Sequence, residues 1–154
     1  MIVPLLCSLR PRLLALAFAA AWMGCANAHD PVDGGDRVHG TILLPQLSST
    51  SIFSPVTARV GVPVDVVIRT FGSSTCELPA GMDVTKSGAD YLFVPWVTST
   101  VGRTCTDDLR SYSHPATVTF SEPGTVKLVA YGYKVGLEGG KALGTISQTV
   151  TVTP

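Results

Sequence analysis

Apolar and polar residues alternate in short runs along most of this chain. In the clearest run, Val64, Val66 and Ile68 share one side of an extended chain, and Asp65 and Arg69 lie on the other. The same two-residue period recurs in residues 117–121, 126–131 and 146–153. Because successive side chains of a strand point to opposite faces, this period predicts antiparallel sheets with one buried face and one face in water.

Gly, Pro and Ser separate these runs, and together the signals predict eight strands. The predicted strands are residues 38–44, 57–60, 64–71, 82–86, 91–98, 116–121, 125–133 and 145–153. No stretch after residue 37 keeps a helical period. Short strands at about ten-residue spacing predict an all-β fold, an antiparallel sandwich of about 7–8 strands. We expect its core to contain Val64, Val66, Ile68, Trp96, Val118, Phe120, Val126, Leu128, Val150 and Val152.

Two connections between predicted strands have a recognisable turn chemistry. Residues 120–125 (Phe-Ser-Glu-Pro-Gly-Thr) predict a compact hairpin, because Pro123 presets φ at the first corner and Gly124 accepts a positive φ at the next. Residues 134–144 are rich in glycine and predict a mobile loop tip.

The N-terminus has the three parts of a cleavable signal peptide. Arg10 and Arg12 form a basic region, residues 13–24 form an apolar run, and residues 26–28 (Ala-Asn-Ala) form a small-residue cleavage site. The run is shorter than the roughly 20 apolar residues of a membrane span. We therefore expect an exported chain, periplasmic or secreted, without a transmembrane span after cleavage. The predicted organisation is a signal peptide at 1–28, a flexible leader at 29–36 and a β-sandwich domain at 37–154.

A second cleavage site is an open alternative. Residues 22–25 (Trp-Met-Gly-Cys) resemble a lipoprotein signal, in which Cys25 would become the lipidated first residue. Trp22 stands where such signals usually carry Leu, so cleavage after Ala28 is the favoured prediction.

Charge and cysteine content narrow the classes of partner. Eleven Lys or Arg and 11 Asp or Glu give a formal net charge of 0 at pH 7, and without a basic patch nucleic acid has little electrostatic reason to bind. After signal cleavage only Cys76 and Cys105 remain, and two cysteines in an exported domain most often pair. Neither has a Cys or His neighbour at metal-ligand spacing. We therefore predict a Cys76–Cys105 disulfide.

Three segments carry a resemblance to a known family. They are residues 60–66 (Val-Gly-Val-Pro-Val-Asp-Val), 105–110 (Cys-Thr-Asp-Asp-Leu-Arg) and 118–126 (Val-Thr-Phe-Ser-Glu-Pro-Gly-Thr-Val). Together they resemble exported bacterial immunoglobulin-like proteins of unknown function, over residues 56–132. The resemblance implies an immunoglobulin-like arrangement of the sandwich and implies no activity.

The sequence contains no recognised catalytic motif. Neither a Gly-x-Ser-x-Gly elbow nor a His-Glu-x-x-His pair occurs. Asp107 and Asp108 are adjacent, so on a strand their carboxylates would point to opposite faces. We interpret them as turn residues after Cys105 rather than as a catalytic pair. The first hypothesis is therefore a non-catalytic module, binding or structural, with a protein or cell-envelope partner.

Copper binding is the alternative hypothesis. Cleavage after Ala28 would make His29 the first residue, and its α-amine and imidazole can chelate Cu(II) together. His39 and His114 are the candidate further nitrogen ligands, with Asp30 or Asp108 as a possible oxygen ligand. Some periplasmic copper carriers of sandwich fold also begin with His, but they carry Asp two residues before a second His, where this chain has Tyr112.

A copper oxidase that acts on polysaccharide is a third, more distant hypothesis. Such an enzyme needs a flat face with exposed aromatic side chains. Tyr91, Phe93, Tyr131 and Tyr133 are candidates for one face, and cross-strand packing explains them equally well.

Overall fold

The computed structural model describes residues 36–44, 51–100 and 104–154. The predicted signal peptide, Cys25 and His29 lie outside the described residues, so those predictions stay predictions. The described residues form ten strands and no helix. The strands are β1 (Asp36–His39), β2 (Thr41–Leu43), β3 (Ile52–Phe53), β4 (Thr57–Arg59), β5 (Pro63–Ser74), β6 (Glu77–Ser87), β7 (Asp90–Ser99), β8 (Asp107–Thr119), β9 (Gly124–Val135) and β10 (Lys141–Thr153).

The strands join in one mixed sheet, so the fold is all-β as predicted but not purely antiparallel. β5 and β8, β6 and β7, and β9 and β10 pair antiparallel. In contrast, β2 and β9, β7 and β9, and β4 and β10 pair in parallel. The prediction of antiparallel sheets is wrong for these three pairs. Parallel neighbours cannot be joined by a tight turn, and β8, which lies between β7 and β9 in sequence, pairs with β5 instead.

The turn between β8 and β9 is therefore a crossover rather than the predicted hairpin. β8 pairs with β5, whereas β9 pairs with β2, β7 and β10. The turn chemistry itself is confirmed, since Gly124 has a φ of 142°, in the region that favours glycine. A Pro-Gly turn sets the direction of the chain, but it does not determine which strand becomes the partner.

The core contains the residues that the alternation predicts, with one exception. Nine of the ten predicted core residues belong to one buried cluster, together with Ile52, Tyr91, Phe93 and Ala130. Trp96 is only half-buried and lies outside that cluster. In β7 the alternating residues Tyr91, Phe93, Pro95 and Val97 are buried on the core side, so Trp96, between two of them, points to the opposite side of the sheet.

The predicted strand at residues 38–44 is broken into β1 and β2 by Gly40. The Gly40 N–H donates to the Pro95 carbonyl at 2.9 Å, and the Tyr133 N–H donates to the Gly40 carbonyl at 2.9 Å. Gly40 thus lies between β7 and β9 and links them. A Cβ at Gly132 would collide with the Gly40 carbonyl oxygen, so this close approach of two backbones requires glycine at residue 132.

The chain around the two cysteines follows one prediction and contradicts another. Cys76 and Cys105 are disulfide-bonded with their Cα atoms 5.5 Å apart, as expected for such a bond. Asp107 and Asp108, however, are not turn residues. They begin β8, in which Asp107 pairs with Ser74 of β5. Acidic residues are depleted in strands, so the sequence at these two positions did not predict a strand.

Side chains connect β6 to β8. No backbone hydrogen-bond ladder joins these two strands among the described residues. The Tyr112 hydroxyl donates to the Glu77 carbonyl at 2.5 Å, and His114 Nδ1 lies 3.1 Å from the Gly81 carbonyl. Both side chains come from β8 and both carbonyls from β6. We call this pair of hydrogen bonds the β6–β8 contact.

Candidate functional site

The side of the sheet that faces away from the core carries aromatic residues from β1, β7 and β9. His39 lies directly opposite Trp96 in the β1–β7 ladder, so both share the outer side. Tyr131 and Tyr133 alternate in β9 with the buried Ala130 and Gly132, so they lie on the same side. All four are half-buried. We call His39, Trp96, Tyr131 and Tyr133 the aromatic cluster.

His39 lies at the centre of the aromatic cluster. Its ring stacks on Trp96, with centroids 4.4 Å apart and an interplanar angle of 23°. It meets Tyr131 edge to face at 5.2 Å and Tyr133 at 6.3 Å. These separations are typical of favourable ring pairs, worth about 0.5–1.5 kcal/mol each beyond buried area. The rings therefore hold one another in place on a surface exposed to solvent.

Charged side chains border the aromatic cluster at both ends. The Arg37 guanidinium lies 4.8 Å from the Trp96 ring centroid, and Lys141 Nζ lies 4.2 Å from that of Tyr133. Asp83 of β6 accepts a hydrogen bond from Trp96 Nε1 at 2.7 Å and pairs with Arg37 at 3.4 Å. Cations over aromatic faces are favourable, so the border orients the rings as well as supplying charge.

Two buried polar atoms beside the cluster have no hydrogen-bond partner among the described residues. They are His39 Nδ1 and Thr98 Oγ1. Thr98 lies opposite Arg37 in the β1–β7 ladder, so it is on the same outer side as the cluster. A buried polar atom without a partner costs about 1–3 kcal/mol, and a ligand that reached either atom would recover part of that cost.

His114, the third histidine, is buried in a different place. Its side chain belongs to the β6–β8 contact, and Nε2 lies 2.9 Å from Thr70 Oγ1. Because the Gly81 carbonyl can only accept, Nδ1 carries the proton and Nε2 accepts from the Thr70 hydroxyl. Burial lowers the pKa of His114 from the ordinary 6.5, although the hydrogen bond to Gly81 opposes that change. Both ring nitrogens are engaged, so His114 would bind a metal only by giving up a hydrogen bond.

The structure thus places the two described histidines among the predicted metal ligands in different surroundings. His39 is in the aromatic cluster, His114 is in the β6–β8 contact, and His29 lies outside the described residues. Within the described residues, no three His, Cys, Asp or Glu side chains form a group that could hold a metal ion. Asp108 pairs instead with Arg110 at 2.8 Å on an exposed part of β8.

A shallow cleft of about 400 Å³ lies between the β6–β7 turn and the β8–β9 turn. Its lining includes the charged Lys86 and Glu122 and the aromatic Tyr91 and Phe120. Lys86 Nζ donates to Ser121 Oγ at 3.2 Å, and the Tyr91 hydroxyl donates to the Thr119 carbonyl at 2.8 Å. These groups are engaged in structural hydrogen bonds, and their arrangement does not resemble an acid–base or nucleophile–base pair.

The prediction of an aromatic face from the sequence was right for two of its four residues and wrong for the other two. Tyr131 and Tyr133 are on the outer side, but Tyr91 and Phe93 are in the core, so the four do not line one face. Trp96 and His39 were not assigned to that side. The outward position of Trp96 could have been predicted from its phase, because it alternates with Tyr91 and Phe93 along β7.

Comparison with protein-family models, with curated proteins and with solved structures finds no match to this chain. The described residues also form no helix long and apolar enough to cross a membrane.

Proposed function

We propose that this chain is an exported, non-catalytic immunoglobulin-like module that binds a partner in the cell envelope through its aromatic cluster. Export is supported by the signal-peptide pattern of residues 1–28 and by the disulfide between Cys76 and Cys105, a bond that persists in oxidising compartments.

The immunoglobulin-like sandwich is supported by the composition of the core. The buried cluster draws on β5 and β8 on one hand and on β7, β9 and β10 on the other. Those two groups of strands are not neighbours in the sheet except through the short β2. Two groups of strands that bury their inner sides against each other form the layers of a sandwich.

The binding proposal rests on the aromatic residues that occupy the outer side of the sheet. An outer sheet face in contact with water is normally polar, yet here His39, Trp96, Tyr131 and Tyr133 occupy it. Trp, Tyr and Arg are the residue types that contribute most to binding when a partner covers them. Arg37 and Asp83 at the border add polar contacts that can fix orientation.

Co-sedimentation of the processed protein with washed cell envelopes of the source organism tests the proposal. We expect the protein to bind, and we expect Trp96→Ala combined with Tyr131→Ala to weaken binding at least about tenfold. The matched control is Phe53→Ala. Phe53 is also an exposed aromatic residue with a guanidinium over its ring, that of Arg69 at 4.4 Å, but it lies on β3. Equal loss in both variants, or no binding by the wild type, would refute the proposal.

Copper binding is the second candidate function, and the surroundings of His39 favour it. Its Nδ1 has no partner among the described residues, and His39 follows His29 by ten residues in the sequence. Calorimetric titration of Cu(II) into the processed chain should show binding that weakens both with a Met added before His29 and with His39→Gln. Equal affinity in all three proteins would exclude a site that uses these two residues.

A further inference from the structure

Among the described residues, the edge of β10 that faces away from β9 is unpaired from Lys141 to Ser147. β9 pairs with β10 from Lys141 to Val152. On the other edge, β4 pairs with Thr151–Thr153, and Gln148 Nε2 donates to the carbonyl and hydroxyl oxygens of Ser54, at 3.2 Å and 2.9 Å, which places the segment before β4 beside residues 148–150. At that covered end, the Thr151 N–H donates to the Val56 carbonyl and the Thr153 carbonyl accepts from Val60. Residues 151 and 153 therefore direct their backbone groups away from β9.

The same alternation extends back along β10. In an antiparallel ladder every second residue directs both its N–H and its C=O to the same edge, and the β9–β10 register runs without a shift. The residues in phase with Thr151 that precede the covered part are Leu143, Thr145 and Ser147. No described backbone group bonds to the N–H or C=O of these three residues on that edge. They span about 14 Å at 3.4 Å per residue.

Nothing in the sequence of this edge prevents another strand from pairing with it. Natural edge strands are usually protected by charge, proline or a bulge. Residues 142–150 (Ala-Leu-Gly-Thr-Ile-Ser-Gln-Thr-Val) contain no charged residue and no proline, and no bulge interrupts their ladder. The edges of β6 and β8 differ, because the β6–β8 contact joins those two strands through Tyr112 and His114.

We propose that the open edge of β10 pairs with β10 of a second copy of this chain, antiparallel and about a two-fold axis. Such an interface is self-complementary, since each copy offers the same donors and acceptors. The charge pattern suits it as well. Lys141 is the one charged residue of β10 and lies at its start, so antiparallel pairing keeps the two lysines at opposite ends of the interface. The two sheets then become one, with Leu143, which is 47% exposed, beside the partner strand.

Sedimentation equilibrium of the processed protein over a wide concentration range tests this interface. We expect a reversible dimer for the wild type. Thr145→Pro removes one N–H that points to the open edge and keeps the hydrogen bonds to β9, a position where edge strands tolerate proline. In a two-fold dimer the interface contains each substitution twice, so two hydrogen bonds are lost. We therefore expect the dimer dissociation constant to rise about tenfold to a hundredfold.

A second variant covers the case in which proline disturbs the fold. Thr145→Lys with Ser147→Lys places like charges on facing edges and should also yield monomers, with unchanged circular dichroism. Thr125→Lys is the control and should still dimerise, because this exposed threonine of β9 lies opposite Thr151, at the end of β10 that β4 covers. A wild type that stays monomeric at all concentrations, or a dimer that survives both edge variants, would overturn the proposal.

Discussion

The β6–β8 contact makes the stability of this domain depend on pH through His114. The side chain is 3% exposed, and burial lowers its pKa in the folded state below the ordinary 6.5. The unfolded chain then binds a proton more readily than the folded one. Stability is therefore fully present above about pH 6.5 and falls as pH decreases toward the folded pKa, by at most about 1.4 kcal/mol per pH unit for one group.

The magnitude at neutral pH follows from the contacts that His114 makes. Substitution by Ala removes the hydrogen bonds to Thr70 and to Gly81, worth about 0.5–1.5 kcal/mol each. It also leaves Thr70, which is fully buried, without this partner and opens a small cavity. We expect His114→Ala to lower the free energy of unfolding by about 2–4 kcal/mol.

Urea unfolding of three proteins at a series of pH values between 7.5 and 5 measures both effects. The wild type should lose stability as the pH falls, whereas His114→Gln should be flatter across the same range. Tyr112→Phe is the control, because it removes the other hydrogen bond of the β6–β8 contact without removing a histidine. It should be less stable at every pH but keep the wild-type slope. An unchanged slope in His114→Gln would refute the assignment.

Three further predictions concern stability and maturation. Phe120 is 2% exposed in the core, so Phe120→Ala should cost about 3–5 kcal/mol by urea unfolding, and a loss below about 1 kcal/mol would contradict its burial. Replacing both Cys76 and Cys105 by Ser should cost about 3–4 kcal/mol in the chain-entropy model, since the two cysteines are 29 positions apart in the sequence. Equal stability of the oxidised wild type and the double variant would contradict a structural disulfide. Intact mass of the exported chain should correspond to a first residue at His29, and a lipidated species that begins at Cys25 would contradict that cleavage site.

The strands and the core could be predicted because a period of two residues records which side chains face inward. Val64, Val66 and Ile68 show this directly, and all three are buried. Trp96 is the exception. It was predicted to be in the core, although its phase in β7 places it on the other side of the sheet.

The pairing of the strands could not be predicted in the same way. Alternation within residues 117–121 and 126–131 is the same whether the two segments form a hairpin or a crossover. Long-range register decides between these arrangements, as in the ladder that joins Val64 to Val118.

The candidate site was only partly predictable for a related reason. The aromatic cluster comes from three strands that are distant in sequence, and only their arrangement in space brings His39 to Trp96 and Tyr131. The turn that separates β8 from β9 contributes to this arrangement, because it lets β9 lie beside β7. Without the topology, Tyr131 and Tyr133 could not be distinguished from Tyr91 and Phe93.

Site-specific photo-crosslinking in the living source organism tests the central claim, that the aromatic cluster binds an envelope partner. Benzoyl-phenylalanine replaces Tyr131 in one variant and Phe53 in another, and illumination traps whatever lies against each position. We predict a discrete adduct from position 131 and none of the same mass from position 53. Excess wild-type protein should suppress the adduct, and excess Trp96→Ala should not. An identical adduct from both positions, or none from position 131, would contradict the account.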